Sequence, residues 1–299
     1  MQKSVNGWLN IYKEKGQASF SVSKFLKKKF KFKKLGHLGT LDPLAEGVLP
    51  IAVGEATKSI NFIKNNKKSY TFIIKWGEET DTNDGEGNTI HKSKKRPSYN
   101  DINYVIKNFF IGKIKQIPPI FSAVKVNGQR AYKLARKNIQ IKLKEKEINI
   151  FKLEAKQPIN NNFCEFDVIC SKGTYIRSLA RDIARKLGTV GYAYKIIRTA
   201  DNVFNIENSI TLKKILALDI KDMYEKLLPV ECVLSHAKSI ILEKKYSEML
   251  KNGMILNLKL ISKKITSENK LILVKSSSKL VCIANLEKEY IIPRRNFNL

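Results

Sequence analysis

The chain has 299 residues, 43% hydrophobic and 28% charged, enough to bury the core of one large domain and one small one. Its 56 Lys plus Arg against 27 Asp plus Glu leave a formal net charge of +29. That excess points to a polyanion, nucleic acid before a membrane surface, because no long amphipathic helix or apolar span accompanies it; heavy use of Lys, Ile and Asn also lets part of the charge be solvated surface.

In chain order, GWLNIYK (Gly7 to Lys13) reads as a short strand running into a turn at EKGQAS. The leading MQKSVNGWLNIYKEKG lacks a signal-peptide core, so the expected location is cytoplasmic. Val22, Phe25, Leu26 and Phe30 then share one helical face while seven lysines crowd residues 24 to 34. Such a helix suits phosphate contacts, and an ordinary amphipathic helix with a solvated face fits equally.

The stretch GHLGTLDPLAEGVLPIAVGEATK follows. Gly36, Gly39, Pro43 and Gly47 interrupt any regular period, and Pro43 biases Asp42 toward extended backbone. Asp42 is therefore expected on a bent loop feeding a short apolar strand, with Ala56, Ile60 and Ile63 at helical spacing behind it. A carboxylate so held can act as nucleophile or general base, or it can only hydrogen-bond its own turn, as Asp before Pro commonly does.

KSYTFIIKWG alternates as a strand covered on both sides, which by itself makes Tyr70 a core aromatic. GEETDTNDGEGN is an acidic, glycine-rich loop that lacks the closing glutamate of a calcium loop. Ser98 and Asp101 cap a core helix carrying Ile102, Val105, Ile106, Phe109 and Phe110. In IPPIFSAVKVNGQRAYKLARKN, Asn127-Gly128 marks a tight hairpin ahead of the basic Arg130, Lys133 and Arg136.

Two alternating runs, Ile139 to Glu154 and NFCEFDVICS, lead into SKGTYIRSLARDIARKLG, where Ile176, Leu179, Ile183 and Leu187 form a helical stripe. Tyr175 and Arg177 open that helix. As a surface cation Arg177 would sit badly at the positive end of the helix dipole; as a group presented on a rigid scaffold it would not. A strand VGYAYKIIRTADNVF, short helices, and a boundary between Pro229 and Ser239 complete the large unit, leaving a tail too short for a second catalytic domain. Cys164, Cys170, Cys232 and Cys282 lie far apart without a C-x-x-C pair or a histidine at ligand spacing, which reads as reduced, buried thiols and no metal.

The segment Gly36 to Lys58 closely resembles the signature of the TruB-type bacterial tRNA pseudouridine synthases. KSY, IPPIFSAVKVNGQRAYKLAR and SKGTYIR resemble further stretches of the same family. The resemblance implies an α+β pseudouridine synthase fold: a mixed, mostly antiparallel sheet with flanking helices and a cleft across its middle, plus a small β-rich PUA-like C-terminal domain. It divides the chain into a catalytic domain, 1–232, with an RNA-gripping insertion at about 118–146, and a PUA-like RNA-binding domain, 233–299.

The implied activity is isomerisation of uridine to pseudouridine at position 55 in the T-loop of tRNA, by base flipping and an Asp-dependent covalent mechanism. The implied enzyme is a monomer that binds the tRNA T-arm without cofactor, metal or membrane. Asp42 is then the catalytic residue, Tyr70 stacks on the target base, and Arg177 pairs with Asp42 and keeps it ionised. Tyr175 and Ile196 lie against the base, His37 takes part in rearranging the loop bases, and Arg130, Lys133 and Arg136 contact the T-loop. His37 could equally be satisfied structurally. The chain departs from the family where EKGQAS lacks a proline and has Ala18 for threonine, and where Ile197 replaces an arginine. The alternative is a catalytically silent tRNA-binding or tRNA-folding protein on the same scaffold, which would have no need of Asp42, Tyr70 and Arg177 together.

Overall fold

Short apolar runs lay down the first elements. Gly7–Lys13 (β1) is buried along both faces, and Ser19–Phe30 (α1) turns Val22, Leu26 and Phe30 into the core. Leu35–His37 (β2) and Glu46–Val53 (β3) follow. This computed structural model describes residues 5–64, 67–137, 139–261 and 270–299. Phe25, expected on the buried face of α1, is 52% exposed because the stripe needed by the sheet is filled by Val22, Leu26 and Phe30. The helix expected behind β3 is instead two tight turns, Gly54–Lys58 and Ile60–Phe62, closed by bonds to the third residue back.

Next come Lys67–Trp76 (β4), the ribbon Glu78–Thr80 (β5) with Thr89–Lys92 (β6), Tyr99–Phe109 (α2) and Gly112–Gln116 (β7). Lys125–Val126 (β8) and Gln129–Arg130 (β9) form a hairpin on Asn127-Gly128, both at positive φ, and lead into Ala131–Ala135 (α3). Lys146–Ala155 (β10), Phe163–Ser171 (β11), Ile176–Lys186 (α4), Gly191–Asp201 (β12), Phe204–Asn205 (β13) and Ile210–Thr211 (β14) close the large sheet.

Its order is β14-β1-β3-β12-β4-β11-β10-β7, with β2 added on β3 and β13 on β12. Only the β1–β14 and β3–β12 pairs are parallel. Along β4, Lys68, Tyr70, Phe72, Ile74 and Trp76 are buried while the intervening residues are half-covered, so the strand is enclosed on one face and only partly shielded on the other. Phe72 stacks on Phe166 of β11 at 5.1 Å between ring centroids. Helices α2 and α4 cover this enclosed face. The capping box expected at Ser98 is present, each of Ser98 and Asp101 accepting from the other's backbone N–H. Phe109 departs from expectation, being 44% exposed beneath the Lys186 ammonium.

A second sheet, ordered β15-β17-β18-β19-β16, consists of Lys238–Ile241 (β15), Leu256–Asn257 (β16), Leu271–Ser276 (β17), Lys279–Glu287 (β18) and Tyr290–Asn296 (β19). It has its own small core around Leu250, Ile272, Val274 and Ile291. Leu273, Ile283 and Phe297 join another core with Trp8, Val48, Ala52 and Phe204, so the tail is packed onto the outer side of β1 and β3. The Trp8 indole donates to the Val230 carbonyl at 3.1 Å across the join. All four cysteines are free thiols; Cys232 is half-buried, where full burial was expected.

Candidate active site

Asp42 is presented by a loop tied down at every second or third residue. The Leu38 N–H donates to Pro50, Ser19 Oγ both donates to the Leu41 carbonyl and accepts from its N–H at 2.9 Å, and the Ala45 N–H donates back to Asp42. At the end of β1 the fully buried Lys13 ammonium donates to the carbonyls of Pro43, Gln17 and Glu14. Burial pulls its pKa down to about 8, against the opposing charges of Asp42 and Glu46. The loop is held from three sides, and the Asp42 side chain remains 42% exposed.

Arg177 comes from the opposite wall. Helix α4 is anchored at its start because Gln116 brackets the Tyr175 backbone, accepting from its N–H at 2.8 Å and donating to its carbonyl at 3.1 Å. Two residues after Tyr175, in the first turn, the Arg177 guanidinium is 4% exposed. Nε donates to Asp42 Oδ2 at 2.8 Å, Nη1 to the Thr82 carbonyl at 3.0 Å, and Nη2 to the Phe121 carbonyl at 2.9 Å. Asp84 Oδ2 lies 3.4 Å from Nη1. Two carboxylates and two carbonyls thus offset a cation at the positive end of a helix.

Sequence reasoning did not single out Asp84. It sits in the acidic loop weighed only for calcium, and its other oxygen is occupied by the Thr82 hydroxyl and the Glu86 N–H. Gln116 and Lys13 were missed too; one amide and one lysine in a lysine-rich chain carry no local signal.

Tyr70 and Ile196 are on β4 and β12 but lie largely inside the core, 8% and 3% exposed. Burial pushes the Tyr70 phenol well above its ordinary range, so it is un-ionised, and the nearby Arg198 charge only partly opposes that shift. Ile197, half-buried, faces Glu46 and Thr71 across the sheet. Tyr175 is half-buried, its phenol raised by burial and facing Ser122, with the charges of Asp42, Arg177 and Arg130 close enough to act on it. His37 bridges two hydroxyls, Nδ1 to Ser23 at 3.3 Å and Nε2 to Thr40 at 3.1 Å. Burial and the Arg198 charge lower its pKa and favour the neutral ring.

Arg130, Lys133 and Arg136 are exposed on the β8–β9 hairpin and α3. Arg130 folds back onto the Ala123 carbonyl, and Arg136 lies over the Tyr132 ring. Their segment reaches the centre through the Phe121 carbonyl on Arg177 and through Ser122, which the Tyr175 phenol faces. The structure therefore brings Asp42 and Arg177 into contact and Tyr175 within reach of both charges. Tyr70 and Ile196 are buried on the neighbouring strands β4 and β12, and the three basic residues are exposed on a separate segment. A fixed carboxylate with one open side, beside a guanidinium that cannot swing away, is suited to attack or to stabilise an electron-poor centre.

Relatives that match almost the whole chain include the following three. "tRNA pseudouridine synthase B" of Ehrlichia ruminantium (strain Gardel) is 39% identical over 98% of this chain and 99% of its own length. The protein of the same name from Clostridium tetani (strain Massachusetts / E88) is 39% identical over 95% and 97%, and that of Rhodospirillum rubrum 37% identical over 99% and 98%. Among solved structures, a Cbf5-Nop10-Gar1 complex aligns with TM-score 0.73 at 23% identity, over 98% of this chain and 84% of that one. An archaeal box H/ACA Nop10-Cbf5 complex aligns with TM-score 0.71 at 19% identity, over 99% and 86%. These two speak to the fold, which they share. Residues 27–176 match the N-terminal domain of the TruB family pseudouridylate synthases, and with relatives this similar over this length, the chain belongs to that family.

Proposed function

We propose that this chain is a tRNA pseudouridine synthase that isomerises the T-loop uridine at position 55, with Asp42 as the catalytic carboxylate. The observation that carries the reading is the Asp42–Arg177 pair: one partner sealed in the protein, the other open to solvent, in a chain whose relatives bear the name tRNA pseudouridine synthase B.

The reaction requires the N1–C1′ bond to break, the base to turn, and a C5–C1′ bond to form. The proton on C5 leaves and N1 gains one, so the product is an isomer. The target base must first leave its stack, at about a few kcal/mol, offset by phosphate contacts from a strongly basic chain. Asp42, oriented by its hydrogen bond from Arg177, forms the covalent bond to the substrate that allows the freed base to turn, and that bond breaks again as the product forms. Tyr70 and Ile196 offer the base a flat apolar floor, Tyr175 a side wall, and the neutral His37 a group for displaced loop bases. Residues 1–232 act as the catalytic domain, with Arg130, Lys133 and Arg136 of the 118–146 insertion gripping the T-arm, and 233–299 as a PUA-like RNA-binding module. We read the enzyme as a cytoplasmic monomer.

The test is an unmodified T-arm hairpin carrying uridine tritiated at C5, since forming the C5–C1′ bond releases that hydrogen. The wild-type chain should release it, and Asp42→Asn should bind the hairpin as tightly yet release none. Conversion by Asp42→Asn would remove Asp42 from the chemistry. Binding without conversion by the wild-type chain would support the silent RNA-binding alternative.

A further inference from the structure

Behind the Asp42 loop lies a charge cluster that the chemistry above does not use. Arg198 and Asp201 on β12 are both 0% exposed, and Lys68 on β4 is 9% exposed. Lys68 Nζ is 3.0 Å from Asp201 Oδ2, and Arg198 Nη1 is 3.3 Å from the same oxygen. Two cations thus share one buried carboxylate, an arrangement that persists only where further acceptors complete it.

Arg198 finds those acceptors in the candidate site. Nη2 donates to the Gly39 carbonyl at 2.9 Å and Nε to the Val48 carbonyl at 2.7 Å, at the two ends of the segment that carries Asp42. Tyr70 is its direct neighbour across the β4–β12 ladder, near enough for the Arg198 charge to act on the phenol. The loop lies directly on this cluster. Gly39 adopts φ +65°, and a Cβ there would stand 2.1 Å from Lys68 Nζ and 3.2 Å from Arg198 Nη1. Only glycine allows the backbone so near.

We propose that Lys68, Asp201 and Arg198 are positioning residues: the cluster sets the Asp42 loop, through Gly39, at a fixed height over Tyr70, so that carboxylate and ring engage the same everted nucleotide. The proposal rests on the reading of Asp42 as the catalytic carboxylate. None of the three touches the reacting atoms. Lys68 fixes Asp201, Asp201 fixes Arg198, and Arg198 holds the loop beside its ladder neighbour Tyr70. An error of about 1 Å in such a geometry lowers rate by about 100-fold while leaving docking of the RNA intact.

The test uses the full chain, the tritiated hairpin and two variants that disturb the cluster from opposite sides. Lys68→Met keeps the stem and removes the charge. Gly39→Ala pushes a methyl group against the two cations and keeps the test open should Lys68→Met not fold. Each is expected to lower kcat at least tenfold with KM within threefold of wild type, and Lys68→Arg should recover more than half of the lost kcat by restoring the charge. Either variant, once folded, retaining kcat within twofold overturns the proposal, as does a loss carried wholly by KM. Asp42→Asn in the same assay separates the two ideas. Conversion by that variant sinks the catalytic reading itself, whereas no conversion there, with unchanged kcat in the cluster variants, sinks the positioning role alone.

Discussion

Replacing Arg177 by lysine should disable the centre while leaving RNA binding nearly intact. The guanidinium makes three hydrogen bonds from three different nitrogens, to Asp42, Thr82 and Phe121, and faces Asp84 as well. A lysine ammonium is a single point on a shorter fork and cannot reach all four. Two unit charges at the Arg177–Asp42 separation of 2.8 Å attract by about 6 kcal/mol at an effective dielectric of 20. Asp42 is 42% exposed, and water replaces much of that, so the net loss there is about 1.5 to 3 kcal/mol.

Asp84 is the costlier orphan. Its side chain is 6% exposed, and an uncompensated buried carboxylate destabilises by about 3 to 5 kcal/mol; the retained Thr82 and Glu86 bonds place it at the lower end. Together the two losses make the expected outcome a chain less stable by about 4.5 to 6 kcal/mol in urea unfolding. Its kcat for tritium release should fall by about 100-fold as Asp42 loses its fixed orientation, with Kd for the hairpin within about threefold because the buried Arg177 meets no phosphate. Retention of kcat within threefold in a folded variant would refute the idea that the guanidinium orients the carboxylate.

Lys13 gives a pH signature. Its folded pKa of about 8 lies below the ordinary 10.5, so between those values the unfolded chain holds a proton that the folded chain does not. The contribution of Lys13 to stability therefore rises with pH across that window, by up to about 3 kcal/mol. Urea unfolding of wild type and Lys13→Met at pH 7.5 and 10 should show the wild type gaining relative to the variant; a relative loss would contradict the sign. Replacing Arg130, Lys133 and Arg136 together with alanine should lower the slope of log affinity against log salt by about 2 to 3, and an unchanged slope would remove them from the docking surface. Phe297 is 1% exposed in the core that joins the two sheets. Phe297→Ala should cost about 3 to 5 kcal/mol, with unfolding still a single transition; two separated transitions would show the sheets to be independent.

Local rules made several elements legible in the chain. The period of two in β4 and β11, the Ser98 box and the Asn127-Gly128 turn each depend on residues a few positions apart, and each stands where those residues put it. The bent Asp42 loop was readable from its glycines and Pro43, and its likeness to a known family named the distant arginine, 135 positions away.

Tertiary structure alone decided how that pair is supported. Asp84 lies far along the chain from Arg177, Lys13 from Pro43, Lys68 from Asp201 and Arg198 from Gly39, and in the sequence the same letters fit solvated turns and a basic surface. Tyr70 shows the limit most directly, for alternation put it on the inner face of a strand, but only packing against β12 decided that its ring is nearly enclosed and lies opposite Arg198. Periodicity records which side of an element faces inward; which charges meet there depends on how distant segments close on one another, and that information resides in the packed molecule.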